Sequence, residues 1–460
     1  MDNKKVVLYR KENIVKVEAS LDNLSLLNTF LSVKSPTAKF TKAYQSGRWD
    51  GIYRFLRLRD HTFPSGFLYS TIDFLNNANV PVDVIDLRIK PTKKINVESK
   101  VELRPYQQKV LQQMLQAEQG IVWLPVNAGK TYIGLELVNQ LKLRTLWIVP
   151  SKEILLQTAE KMNELLNIKA GVIGMGYHNI APITLGMIQT LSKNQGYRDF
   201  IDEINSSFDV LIFDECHKVA HNTYQKFLLK ATMYYRYGLS GTPKHRNTVD
   251  VHFMHGIFGN VIAKMNQKDL FNLSISVKPK IYMIRHKHEN ITYTDYQELY
   301  TEQIVNNKSR NDKVIKIVEK FYKQKKQIVI MLERIQHGEI IQKMLNEKKI
   351  PNIFAYGNMK ADERKEALDK FEAGEIPILI ATNILNEGIN LHSMDAIVVV
   401  DGGKSPVKTV QRVGRVLRSR IGKEEALVID FYDENQKILT YHANKRKQTY
   451  KKEFGNVSLI

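Results

Sequence analysis

Apolar residues recur along this chain with two periods, and the change from one to the other marks its elements. Near the start, Lys5–Tyr9 and Ile14–Glu18 have the look of short strands, the second alternating apolar and polar. Residues 21–33 place Leu24, Leu27, Phe30 and Leu31 at helical spacing, and 67–79 have the same period. Pro91-Thr92-Lys93-Lys94 is a linker signal. From 101 to 260, apolar runs at 121–124, 145–149, 183–186, 209–213 and 237–239 alternate with helical patterns at 105–118, 131–141, 152–166 and 223–230. From 275 to 440 the same style returns, with strands at 327–332, 377–381, 396–400 and 426–430 and helices near 311–324, 336–348 and 361–373. This alternation predicts parallel sheets covered by helices, hence an α/β protein. The expected division is a small α+β N-terminal domain at 1–95, a first α/β lobe at 96–265, a second at 266–445 and a basic tail at 446–460.

One strand-to-helix junction carries chemistry. Ile121-Val122-Trp123-Leu124 is followed by a turn, by Gly129-Lys130-Thr131 and by an amphipathic stretch from Tyr132. Successive backbone N–H groups at a helix N-terminus form an anion site, Lys130 adds a charge for outer phosphates, and Thr131 offers a hydroxyl to Mg²⁺. Asn127 and Ala128 complete the loop, and Gly129 allows close backbone approach. The full phosphate-loop pattern has glycine at 124, where this chain has leucine.

Composition narrows the class. The 460 residues are 43% hydrophobic, enough for packed cores. No apolar run approaches the ~20 residues that span a bilayer. The start, Met-Asp-Asn-Lys-Lys, lacks the apolar core of a signal peptide. A single cysteine, Cys216, excludes an internal disulfide framework and a cysteine zinc site. These features predict an intracellular protein. A net charge of +20 points to a polyanion, most simply nucleic acid.

Asp214-Glu215-Cys216-His217 follows the apolar strand 209–213. A carboxylate at the end of a parallel strand lies where ligands bind. Asp214 is placed to hold Mg²⁺ and Glu215 to orient and deprotonate an attacking water. Leu103-Arg104-Pro105-Tyr106-Gln107, Val149-Pro150-Ser151 with Gln157, Thr184 with Gln189-Thr190-Leu191, and Leu239-Ser240-Gly241-Thr242-Pro243 complete the first lobe's motifs. The second lobe adds Ala381-Thr382, Glu387-Gly388-Ile389-Asn390-Leu391 and Gln411-Arg412-Val413-Gly414-Arg415-Val416-Leu417-Arg418. In this order, over about residues 100–430, the set resembles the superfamily 2 DExH/D helicases.

The resemblance implies two tandem RecA-like lobes that bind ATP with Mg²⁺ in the cleft between them. It implies that Arg104, Gln107 and Gly388 bind nucleotide with the loop, and that Gln411, Arg415 and Arg418 act in hydrolysis. Ser151, Gln157, Gln189, Thr190 and Thr382 would touch the nucleic-acid backbone. Helicase loops usually carry glycine at the place of Asn127, and asparagine tolerates the same left-handed backbone. Asn390 stands where the family has aspartate, which removes a charge there.

Ahead of the motor, Gly47-Arg48-Trp49-Asp50-Gly51 resembles the phage UvsW-type branch-migration helicases, which implies forked or branched DNA as partner. Asp50-Gly51 predicts a tight turn in a hairpin, with Arg48, Arg54 and Arg57 as phosphate contacts or simply its wet face. An RNA helicase and an ATP-gated nucleic-acid clamp without processive movement remain alternatives. No nuclease constellation, membrane segment or obligate protein partner is evident.

Overall fold

The computed structural model describes residues 5–194, 196, 198–220, 222–241, 248–382, 391, 393–417 and 426–460. The chain divides into two compact units, Met1–Leu124 with Gly129–Lys264, and Met265–Ile460 with Pro125–Ala128.

The N-terminal part of the first unit is a four-stranded sheet in the order Thr62–Pro64, Ile14–Glu18, Val6–Arg10, Val82–Asp86. Alternation puts Val6, Leu8, Val15 and Val17 on its inner face, where Leu24, Leu27, Phe63 and Leu75 close the core. Helices Leu21–Phe30 and Leu68–Asn77 cover that face, with Phe30 stacked on Phe74 at 4.1 Å.

The expected hairpin around Asp50-Gly51 is not formed. Strand Ile52–Arg54 pairs with Ser32–Lys34 instead, and a short helix, Lys42–Gln45, precedes the turn. Local bonds satisfy this segment. The Thr41 hydroxyl accepts from Tyr44 N, Trp49 Nε1 donates to Ile52 O at 3.0 Å, and Asp50 Oδ1 accepts from Ile52 N at 3.1 Å. Left-handed Gly47 and Gly51 turn the chain at both ends of that bonding.

This N-terminal part shares its core with the lobe that follows. Phe253, on helix Thr248–Phe258, lies 5.6 Å from the Tyr53 ring and 5.0 Å from Phe55. A Cβ on Gly66 would meet His255 O at 2.1 Å, so only glycine allows this approach. Glu118 accepts from Arg88 at 2.6 Å, Tyr234 at 2.8 Å and Arg10 at 3.3 Å. Asn13 Nδ2 donates to Leu229 O at 2.6 Å.

The first lobe is an eight-stranded sheet in the order 177–179, 171–174, 183–187, 145–149, 210–214, 235–240, 119–123, 261–264. All neighbours are parallel except the hairpin 171–174 with 177–179. The central strands Thr145–Val149, Val210–Asp214 and Tyr235–Ser240 are buried throughout, hence their unbroken apolar runs.

The second lobe is a seven-stranded, wholly parallel sheet in the order 352–355, 378–381, 328–331, 396–399, 426–434, 279–287, 457–459. Residues 446–460, expected as a basic tail, are part of this lobe. They form the second half of helix Lys437–Phe454 and the edge strand Val457–Leu459. Helical spacing separates the cations. Arg446 turns inward onto Asp430 at 2.8 and 3.1 Å, beside Tyr450, while Lys445, Lys451 and Lys452 stay exposed. Arg310 and His288 converge on Asp433 at 3.0 and 2.9 Å. Among the described residues no helix is long and apolar enough to cross a membrane.

His337 is fully buried in this lobe, with Nε2 on Asn311 Oδ1 at 2.9 Å. Burial, with the positive Arg310 nearby, lowers its pKa from 6.5 to about 3. Below about 6.5 the unfolded chain therefore binds a proton that the folded chain refuses. Stability should fall as pH drops from about 6.5 toward 3, by roughly 2 kcal/mol from this residue between pH 7.5 and 5. Urea midpoints followed by circular dichroism should fall less over that pH interval in His337→Gln than in the parent. Equal pH dependence would show that His337 is not held neutral.

Candidate functional site

The parallel register of the first lobe brings several strand ends level. Phe213 pairs with Ile148 and Asp214 with Leu239, Ser240 with Trp123, and Met187 with Val149. Each strand thus ends at one sheet edge, and the residues that follow share it. Those residues are the phosphate-loop candidate, Pro150-Ser151, Ile188-Gln189, Glu215 and Gly241.

After strand Gln119–Trp123 the loop bends twice through left-handed backbone, at Asn127 (φ 71°) and Gly129 (φ 74°). Helix Lys130–Leu141 starts there with Gly129 as N-cap. Such a bend turns successive amides into an anion-binding concavity. Lys130 and Thr131 are half-buried at the first two helical positions, and Ala128 is buried. The Lys130 ammonium lies 3.4 Å from Leu124 O, folded back over the loop.

Gln107 reaches this loop from helix Pro105–Ala117. Its Oε1 accepts from Arg104 N at 2.9 Å, and a Cβ on Gly129 would come within 2.3 Å of its Nε2. The amide is thus aimed by a helix cap and seated against the loop. Arg104 itself is exposed at the helix start.

Asp214 is 8% exposed, at the end of its strand. Its Oδ1 accepts from Glu215 N at 2.9 Å, while Glu215 takes a left-handed φ of 56°. Burial and the Glu215 charge push the Asp214 carboxyl up to about 6, against the pull of Lys130. Burial also pushes Glu215 up, but the His217 hydrogen bond and the charges of His217, Lys130 and Lys218 outweigh it and draw it down to about 2. His217 Nδ1 lies 3.1 Å from Glu215 Oε2 and 3.2 Å from Ser240 Oγ. It therefore joins the acidic pair to the end of the neighbouring strand. The sequence reading gave His217 no role; its place two residues after Glu215 was the available signal. Cys216 is fully buried against Met254 at 3.7 Å and stands apart from the polar site.

Other expected contacts are placed more variously. Ser151 is 9% exposed and caps helix Lys152–Leu166 by accepting from Ile154 N. Gln189 Nε2 donates to Pro150 O at 2.6 Å, which ties two of the motifs together. Gln157 and Thr190 are half-buried, and Thr382, in the second lobe, is buried. Arg48, Arg54 and Arg57 are exposed, but Arg54 pairs with Asp50 at 2.5 Å and Arg57 with Asp60 at 2.9 Å. Gln411 and Arg415 belong to helix Pro406–Val416, with side chains outside the described residues. Gly388, Asn390, Arg418, Thr242 and Pro243 lie outside them altogether. Sequence reasoning missed Arg412, which is buried on this helix and paired with buried Asp401 at 2.5 Å.

Residues 100–245 match the family described as Type III restriction enzyme, res subunit, and residues 309–420 match the helicase conserved C-terminal domain. The chain belongs to the superfamily 2 helicases. Among its relatives, the DNA 3'-5' translocase XPB2 of Sulfurisphaera tokodaii is 27% identical over 73% of this chain and 82% of its own length. The ATP-dependent DNA helicase uvsW of Enterobacteria phage T4 is 23% identical over 91% and 88%. Similar solved folds include S. cerevisiae Dbp5 bound to RNA and ADP BeF3, with TM-score 0.55 at 15% identity over 79% of this chain and 89% of that one. The Type ISP restriction-modification enzyme LlaBIII bound to DNA has TM-score 0.60 at 15% identity over 85% and 34%. Both support two RecA-like α/β lobes.

As a helicase-family ATPase, the chain is expected to use ATP with Mg²⁺, and the residues fit that pair. The left-handed loop and Lys130 suit phosphates. Among the described residues no group of three His, Cys, Asp or Glu is placed to hold a metal ion. Mg²⁺ commonly takes one or two carboxylates and completes its shell with phosphate oxygens and water, and Asp214 at its strand end offers one such carboxylate.

Gly129→Ala should strain a left-handed position, at about 1–2 kcal/mol, and drive a methyl into Gln107. Nucleotide affinity should fall at least about tenfold, measured by titration with a fluorescent ATP analogue. Adding Gln107→Ala should relieve the contact and leave the backbone strain. Lys130→Ala should abolish hydrolysis while DNA binding without nucleotide persists. Near-parental ATPase in Lys130→Ala would remove the loop from the site.

Proposed function

We propose that this chain is an ATP-driven DNA motor that unwinds or branch-migrates forked and branched duplexes. The observation that supports it best is the shared sheet edge, where the left-handed loop with Lys130 meets the buried Asp214–Glu215 pair. The DNA translocase and DNA helicase among its relatives favour DNA over RNA.

In this reading Lys130 and the amides of Asn127, Ala128 and Gly129 hold phosphates, and Thr131 and Asp214 hold the divalent ion. Bound ATP supplies the phosphoanhydride whose hydrolysis drives movement. Gln107 and Arg104 face the base, with Gly388 as a further nucleotide contact. A carboxylate drawn down to about 2 stays ionised at neutral pH but is a weak base, so Glu215 serves first to orient water. Arg415 and Arg418, with Gln411, supply charge that stabilises the reacting phosphoryl group. The Arg412–Asp401 pair fixes the helix that carries Gln411 and Arg415. Ser151, Gln157, Gln189, Thr190 and Thr382 track the strand; for Ser151 the backbone N–H groups of the helix it caps are the better donors.

Arg415→Ala and Arg418→Ala should each leave ATP affinity within about tenfold and cut turnover far more, because such arginines act on charge that develops during reaction. A substrate panel tests the whole reading: ATPase and unwinding with single-stranded DNA, blunt duplex, fork, four-way junction and RNA. Forks and junctions should be opened, and DNA should stimulate hydrolysis more than RNA. Stronger stimulation by RNA would support an RNA helicase. ATP-dependent binding without strand separation or movement would support a clamp.

A further inference from the structure

Residues 36–48 form an exposed knob on the N-terminal sheet domain, and its chemistry is unlike the rest of that domain. Phe40 is 74% exposed, more than any other phenylalanine, tryptophan or tyrosine among the exposed apolar residues. Tyr44, on the next helical turn, is 40% exposed. Lys39, Lys42 and Arg48 stand on the same segment and are exposed as well. No carboxylate occurs anywhere from Asn23 to Trp49. Among the described residues none of these three cations has an ion-pair partner, whereas Arg54 and Arg57 nearby are each paired with an aspartate.

The knob is firmly built. Thr41 Oγ1 donates to Ala38 O at 2.8 Å, Gln45 Nε2 to Lys39 O at 3.1 Å, and Trp49 N to Ala43 O at 3.1 Å. A Cβ on Gly51 would lie 2.9 Å from Ala38 Cβ and 3.1 Å from the Tyr44 ring, so the turn is closely packed beneath it. Through Trp49, Tyr53 and Phe253 the rings run edge to face from the knob into the first lobe. Lys39 Nζ lies 5.1 Å from the Phe40 ring centre, and the other face of a ring so exposed is free for a flat partner.

We propose that Phe40 is a stacking face for the base exposed where a forked DNA opens, with Lys39, Lys42 and Arg48 on the flanking phosphates. This deepens the DNA-motor reading and rests on it. An aromatic ring among unpaired cations is the combination that binds unpaired nucleotides without reading sequence. Because the knob is fixed to the first lobe, the stacked base is held at a constant position against it. Phe40 is exposed, so its removal leaves the core of the domain intact.

The test uses the full chain without nucleotide, so motor activity does not enter. Binding is measured by anisotropy to a DNA fork and to a blunt duplex of equal length. A 2-aminopurine at the fork boundary reports stacking. Phe40→Ala should weaken fork binding about tenfold, leave duplex binding within about twofold, and abolish the 2-aminopurine change. Phe40→Trp should restore all three values. Combined Lys39→Gln, Lys42→Gln and Arg48→Gln should weaken both substrates and flatten the log–log salt slope by about two to three units. Parental fork binding and fluorescence in Phe40→Ala overturn the proposal, and so does an equal loss on fork and duplex. A protein docking on this knob would give the first of those results. If the parent fails to unwind forks yet shows the Phe40-dependent signal, the motor reading falls and the stacking face stands.

Discussion

Two adjacent carboxylates at the end of a buried strand cannot both keep their charge unaided. Asp214 and Glu215 are in that position, and the edge of the first lobe is arranged around the problem. His217 and the nearby lysines hold Glu215 ionised, while burial and the Glu215 charge push the Asp214 carboxyl up to about 6, more than Lys130 and His217 offset. A divalent ion beside Asp214 would supply the missing charge. The backbone turns left-handed at Glu215, and Asp214 Oδ1 accepts the Glu215 amide there. His217 then carries the arrangement to Ser240, which lies level with the strand that leads into the loop. A parallel sheet makes this economical, because neighbouring strands deliver their ends to one edge.

The second lobe handles charge differently. Asp430, Asp433, Arg310 and Arg446 are wholly buried, and each has a charged partner within hydrogen-bonding distance. Breaking one such pair leaves a buried charge and typically costs about 3–5 kcal/mol. Replacing a pair by apolar groups costs much less, so their value lies in holding one arrangement of helix Lys437–Phe454 and the strand it covers. The Asp401–Arg412 pair does the same for helix Pro406–Val416.

Much of this was legible in the sequence, for physical reasons that also mark where reading failed. Fully buried parallel strands are unbroken apolar runs, so 145–149 was read to the residue and 210–214 to within one. Strand Pro279–Lys287 was missed because its partly exposed positions break the run. The basic tail was misread because counting lysines and arginines ignores helical phase, which sends Arg446 to the core and its neighbours to water. The hairpin was misread because Asp50-Gly51 is a turn signal that does not say which strand will pair. At the candidate site, the placement of Lys130, Asp214 and Glu215 at one sheet edge was legible from spacing. The aim of Gln107 was not, because it depends on a cap bond and on a close approach to Gly129 from a distant part of the chain.

The net charge of +20 invites the view that any exposed arginine is a phosphate contact. Pairing changes the ranking. An arginine already bonded to an aspartate would have to give up that bond, or keep a neutralised charge, to meet a phosphate, so Arg54 and Arg57 would release less counterion than their number suggests. Arg48, Lys39 and Lys42 carry no such offset, and they stand on the segment whose aromatic residue points to water rather than to the core. The N-terminal sheet domain therefore presents its unpaired charge and its exposed ring together. The rings that bury Tyr53 and Phe253 fix that surface to the lobe holding the loop. A domain joined only by a flexible linker would let such a surface wander. Sharing a core with the first lobe gives it one position.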